Sequence, residues 1–85
     1  MEALDGNAIA GLLHEVFGNE MTTADSVCGH CGDERPVAEL VAYLRAPGTV
    51  VRCRTCASVL MVLAEVRGIT CVDLNGLATL DPART

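Results

Sequence analysis

Cys28-Gly29-His30-Cys31-Gly32 and Cys53-Arg54-Thr55-Cys56 are the two stretches on which the reading of this chain turns. Each holds a Cys-x-x-Cys pair, and the residues between them read as strand, turn and strand. A Cys-x-x-Cys pair on a tight turn puts two sulfurs within reach of one ion, and two such pairs close a four-sulfur site. Structural zinc takes four ligands in a tetrahedron and suits thiolates. The expectation is one structural Zn2+ held by Cys28, Cys31, Cys53 and Cys56. Gly32 lets the chain turn without a side-chain clash, and backbone N–H groups in such turns donate to thiolate sulfur. Arg52 and Arg54 flank the second pair and are candidates to offset the cluster's negative charge, a solvated position being the commoner fate for such residues. His30, between two ligands, is expected to face solvent. A closed four-cysteine site has no open position for water or substrate, so it stabilises rather than catalyses, and no enzyme activity is expected. Metal binding in small zinc modules supplies folding free energy on the order of 10 kcal/mol.

Length makes such a staple useful. Eighty-five residues form one domain, spanning 1–85, and a chain this short buries only about 60–65% of the surface its unfolded form exposes. No basic start or apolar h-region opens the chain, and its densest apolar run falls far short of the roughly 20 residues needed to span a bilayer. A cytoplasmic location without membrane contact is expected, and in that reducing compartment paired cysteines are more often metal ligands or redox groups than disulfides. The formal net charge is −5, every basic residue is Arg, and the aromatics are one Phe and one Tyr. Nucleic-acid binders show a basic patch backed by stacking aromatics, so DNA or RNA binding is disfavoured.

Outward from the knuckles, Ile9, Leu12, Leu13, Val16 and Phe17 recur at helical spacing and predict an amphipathic helix over 5–17. Asp5 or Asn7 caps its start, Gly18 suits its end, and His14 falls off the apolar stripe. Residues 20–27 read as an edge strand and 33–36 as a charged turn. Residues 37–44 read as a strand, Ala46-Pro47-Gly48-Thr49 as a hairpin turn, and 49–52 as its return. Residues 58–66 are apolar on both faces, although a half-exposed strand should alternate. Three explanations stand: the helix and tail cover both faces, a second copy or a partner protein covers one, or the run is a short buried helix. Arg67-Gly68 is a compact turn and 69–74 the paired strand. There Cys71 reads as a small buried hydrophobe, with a reactive thiol as the alternative. The ribbon thus spans 20–74, and 75–85 form a tail that docks Leu77 and Leu80 and then frays. The fold class is small α+β: a zinc ribbon of antiparallel β-hairpins with two Cys-x-x-Cys knuckles, preceded by an N-terminal amphipathic helix.

Two other chemistries use the same cysteines. Cys28-Gly29-His30-Cys31 is similar to the motif of protein disulfide isomerases, which resemble thioredoxin and open a helix with it. Here Gly32 to Pro36 is a poor helix continuation, and Cys53 and Cys56 would stay unexplained. Rubredoxins resemble the spacing loosely and hold iron, but carry an aromatic core. No Ser/His/Asp set, phosphate-binding Gly loop or His-x-x-x-His site is present.

Leu4-Asp5-Gly6-Asn7-Ala8, Glu15-Val16-Phe17-Gly18 and Glu20-Met21-Thr22 precede the first knuckle, and Ala46-Pro47-Gly48, Val51-Arg52-Cys53 and Val59-Leu60-Met61 follow it. Together they resemble an uncharacterised family of small acidic actinobacterial zinc-ribbon proteins. The resemblance runs to about Leu80, carries the four ligands onto Cys28, Cys31, Cys53 and Cys56, and implies no activity. It puts an aromatic residue where Cys71 stands. The function expected is a structural-zinc binding module that serves protein–protein interaction or an accessory, regulatory role, with an unknown protein partner or self-association. The alternative is a thiol-based redox or metal-handling protein that uses Cys28 and Cys31.

Overall fold

The computed structural model describes residues 3–18, 20–45 and 48–81. Strand β1 (Ala3–Asp5) leads into a 3-10 turn (Gly6–Ile9) and helix α1 (Ala10–Phe17). Then come β2 (Asp25–Cys28), β3 (Glu34–Pro36), a 3-10 turn (Val37–Glu39), β4 (Val41–Arg45) and β5 (Gly48–Arg52). Strands β6 (Val59–Val66), β7 (Ile69–Asp73) and β8 (Leu77–Asp81) complete the described residues. One sheet runs β1-β4-β5-β6-β7 and the other β3-β2-β8, antiparallel throughout.

The N-terminal helix forms where its apolar stripe predicts, with a tighter start. Asp5 Oδ1 accepts the Asn7 N–H at 3.1 Å, which caps the 3-10 turn. Gly18, at φ 74°, closes α1 with its N–H on the His14 carbonyl at 2.8 Å. Ile9 and Leu13 are buried, and Leu12, Val16 and Phe17 pack against the same core, which includes Val37, Leu40, Val51, Met61 and Leu63. His14 is exposed, as the stripe requires.

Several expectations about the strands are corrected. Residues 20–24 form a turn, not the start of a strand, held by Glu20 accepting the Thr22 N–H at 2.7 Å. Strand β2 is then the middle of its sheet rather than an edge, because β3 and β8 flank it. The charged turn at 33–36 contains β3, whose Arg35 pairs with Ser26. Val37 begins a 3-10 turn instead of a strand. Val37 and Leu40 are both buried, and a spacing of three suits a turn where a spacing of two suits a strand. Residues 77–81 form β8, so the segment read as a fraying tail supplies a strand. Cys28 pairs with Leu77 and Val27 with Thr79, which leaves Ala78 as an extra residue in a bulge. That bulge places Leu77 and Leu80 on one face, and both pack against the core.

Residues 58–66 do form a strand, and a second bulge explains their double-sided apolarity. Arg52 pairs with Val59 and Val51 with Met61, so Leu60 is the extra residue. Leu60 and Met61, although adjacent, are both buried. The far half of the strand needs no cover, since Glu65 and Val66 are exposed. Residues 46–47 of the predicted hairpin turn lie outside the described residues, and Gly48 is corrected from a central turn position to the first residue of β5, where it pairs with Arg45.

The two sheets meet beside the first knuckle. A Cβ on Gly76 would stand 2.0 Å from the Val59 carbonyl oxygen and 2.6 Å from the Leu60 Cα. Only glycine permits that approach. From there the Gly76 carbonyl accepts the Gly29 N–H at 2.9 Å.

Candidate metal centre

The two Cys-x-x-Cys stretches fold into the same turn. Strand β2 ends at Cys28, whose N–H donates to the Asp33 carbonyl at 3.0 Å, while the Gly32 N–H returns to the Cys28 carbonyl at 3.0 Å. The second turn follows β5. The Cys53 N–H donates to the Ser58 carbonyl at 2.9 Å, and the Ala57 N–H to the Cys53 carbonyl at 3.0 Å. Inside each turn the first sulfur collects backbone donors. The N–H groups of His30 and Cys31 point at Cys28 Sγ, both at 3.3 Å, and that of Thr55 at Cys53 Sγ at 3.4 Å. These donors favour thiolate, the ligand form.

The turns bring the four cysteines picked out by spacing to one point. Their sulfurs all lie within 4.8 Å of one another. Cys28 Sγ is 3.7 Å from Cys56 Sγ, and Cys31 Sγ is 3.6 Å from Cys53 Sγ. A tetrahedron with metal–sulfur bonds of about 2.3 Å has edges of about 3.8 Å. A disulfide closes to about 2.05 Å, and all five cysteines are free thiols. The donor set therefore fits one tetrahedral metal ion, with two ligands from each turn.

The electrostatics favour the same occupant. The hydroxyl and N–H of Ser58 draw the Cys56 thiol down to about 6. The Cys31 N–H, helped by that of His30, lowers Cys28. At Cys31 the Asp33 N–H pulls downward, yet burial and the neighbouring sulfurs carry it up to about 12. Four thiolates this close repel, so one keeps its proton unless a cation shares the site. A divalent ion removes that conflict.

Spacing did not reveal what ties the two turns together. Asp33 follows the first turn and Thr55 lies inside the second. Asp33 Oδ2 accepts from Arg35 Nε at 2.5 Å and from the Thr55 hydroxyl at 3.0 Å. The Arg35 and Thr55 bonds hold the Asp33 carboxyl below the usual range. Arg35, not either arginine beside Cys53, is thus the cation in this clamp. Arg52 donates to the Ala57 carbonyl at 2.9 Å and lies over the Tyr43 ring at 5.9 Å. Arg54 donates to the Glu39 carbonyl at 2.6 Å. Both donate to backbone carbonyls rather than to a sulfur. His30 is exposed, as expected between two ligands. Cys71 is exposed on β7, away from the cluster, which corrects its reading as a buried hydrophobe.

No helix among the described residues is long and apolar enough to cross a membrane. No curated protein and no solved structure matches the chain. A family model does, over residues 1–85: the chain belongs to DUF6510, a family of unknown function.

Proposed function

We propose that this protein is a zinc ribbon: a non-catalytic module that one structural Zn2+ stabilises and that works by binding protein, either a partner or a second copy of itself. The single observation that carries the metal reading is the cluster of four sulfurs within 4.8 Å, two from each of two matching turns. Zinc suits it because an all-thiolate tetrahedron is its usual structural site. The ion would serve as a staple for a chain with a small core. With four protein ligands no position is left for substrate, which favours binding over catalysis. The net charge of −5 favours protein over nucleic acid as the partner. A reducing, cytoplasmic setting accords with the free thiols.

The thiol-exchange reading draws less support. The 3.6 and 3.7 Å approaches both run between the turns, pairing Cys28 with Cys56 and Cys31 with Cys53. Exchange within Cys28-Gly29-His30-Cys31 would set Cys28 against Cys31.

Native mass spectrometry of protein purified without added metal or reductant tests the proposal. One zinc per chain, lost when Cys53 and Cys56 are replaced by Ser, is the expected result. Iron in its place would reassign the ion, and a metal-free folded chain with a Cys28–Cys31 disulfide would overturn the reading.

A further inference from the structure

Strand β7 ends the five-stranded sheet, and among the described residues nothing pairs with its outer side. All five of its residues are exposed, Ile69 by 66% and Val72 by 38%. Unpaired edges template the addition of another strand, and proteins usually blunt them. The other edges here are blunted. Strands β1 and β3 have three residues each, β3 carries Glu34, Arg35 and Pro36, and β8 is broken by its bulge. Strand β7 reads Ile-Thr-Cys-Val-Asp, with no proline, no bulge, and a single charge at its end.

The turn before β7 settles which backbone groups are free. Arg67 and Gly68 have φ of 54° and 78°, the signature of a two-residue type I′ hairpin closed by Val66 and Ile69. Hydrogen-bonded pairs alternate from that point. Val66–Ile69, Ala64–Cys71 and Val62–Asp73 face each other in register. Ile69, Cys71 and Asp73 therefore bond inward to β6, and Thr70 and Val72 aim their N–H and C=O groups outward.

We propose that a second copy of this chain occupies this edge, with the two β7 strands antiparallel about a two-fold axis at Cys71. In that register Thr70 of each copy exchanges both bonds with Val72 of the other, so every outward group is satisfied. An axis at Thr70 would set Val72 against Gly68 of the turn. An axis at Val72 would set Thr70 against Leu74, whose carbonyl already accepts the Leu77 N–H at 3.0 Å. The charges agree with the Cys71 axis. Asp73 lies diagonal to Arg67 of the second copy, of opposite sign. The two Asp73 residues are four positions apart along the strand, about 13 Å, beyond the screening length of about 8 Å at physiological salt. The two Cys71 residues meet at a non-hydrogen-bonded site, where side chains of paired strands come closest.

This assignment deepens the protein-binding half of the proposed function and does not depend on which metal fills the cluster. Sedimentation velocity over a range of micromolar concentrations tests it. The expected result is a monomer–dimer equilibrium. Thr70→Pro removes one outward N–H and leaves the bonds to β6 in place. It should weaken the dimer by about tenfold or more. Val72→Lys should do the same, while Leu44→Lys, on β4, should not. Metal content and circular dichroism verify that each variant is folded. Mild diamide should then join two chains through Cys71. The two thiols lose two protons and two electrons, and diamide takes them up as the hydrazine. A monomer at every concentration, or a dimer that both edge variants leave intact, overturns the assignment. A metal-loaded monomer defeats this inference alone. A metal-free dimer defeats the zinc reading alone.

Discussion

Gly32 and Ala57 occupy the same place in the two cysteine turns, each four residues after the first cysteine of its pair, with φ of 78° and 63°. Each donates its N–H to that cysteine's carbonyl at 3.0 Å. The left-handed region costs a residue with a Cβ about 1 kcal/mol, and glycine nothing. The second turn therefore carries strain that the first does not. Ala57→Gly should raise the stability of the metal-loaded protein by about 0.5–1 kcal/mol, and Gly32→Ala should lower it by about 1 kcal/mol. Urea unfolding of both variants measures the difference, and a loss on Ala57→Gly would refute this account of the turn.

Gly76 makes a different demand, for space. Its φ is not positive, but an added Cβ would stand 2.0 Å from the Val59 carbonyl oxygen, a backbone atom of β6. Backbone yields less readily than the tip of a side chain. Gly76→Ala should destabilise by about 1–3 kcal/mol and push β8 from β6. Amide exchange at Gly29, whose N–H rests on the Gly76 carbonyl, should rise in the variant more than exchange within β5. Equal protection at both places would show that the seam accommodates a methyl group.

What could be read in the sequence follows from which signals were local. The two Cys-x-x-Cys stretches carry their own turn geometry, so the meeting of four sulfurs was legible from spacing. Ile9, Leu13 and Phe17 repeat at helical period, and α1 forms there. Strand β8 was not legible, because its bulge at Ala78 brings Leu77 and Leu80 to one face at a spacing of three. Alternation cannot register such a strand. Leu60 misled for the same reason, making one strand look apolar on both faces. The clamp of Asp33, Arg35 and Thr55 joins residues some twenty apart, and no motif announces it. Cys71 was misread because its apolar neighbours suggested burial, whereas β7 lies at a sheet edge with both faces open.

Glu20 gives the loop before β2 a pH dependence. Its carboxylate accepts from the Thr22 hydroxyl and from the Thr22 N–H at 2.7 Å. These two bonds hold its pKa below the ordinary 4.5. A carboxyl with a lowered folded pKa stabilises the fold above its unfolded value, and loses that contribution as pH falls through the folded one. Glu20→Gln should therefore lower the unfolding midpoint at neutral pH, and the gap to the unaltered protein should close as pH falls from the ordinary 4.5 through the lowered folded value. Comparing the two proteins at each pH cancels the protonation of the cysteines, which both share. A gap of equal size at neutral and acid pH would show that shape rather than charge matters at this position.

Ser58 touches the candidate metal centre from outside it. Its Oγ lies 3.3 Å from Cys56 Sγ, while its carbonyl separately accepts the Cys53 N–H. When Cys56 is a metal-bound thiolate, the hydroxyl donates to sulfur and steadies the charge that the ligand needs. Removing such an outer partner typically costs ten- to a hundredfold in affinity, and a single half-buried hydroxyl at 3.3 Å belongs at the low end. Ser58→Ala should therefore weaken zinc binding by about tenfold and leave the backbone bond of the turn intact. Thr55→Val is the matched control, since the Thr55 hydroxyl reaches Asp33 and not a sulfur. It should keep zinc affinity within about twofold. Competition against a chromogenic chelator reads both variants. Equal losses would place the effect in the clamp between the turns. A loss confined to Ser58→Ala places it at the Cys56 sulfur, and Ser58→Thr, which restores a hydroxyl, should recover most of it.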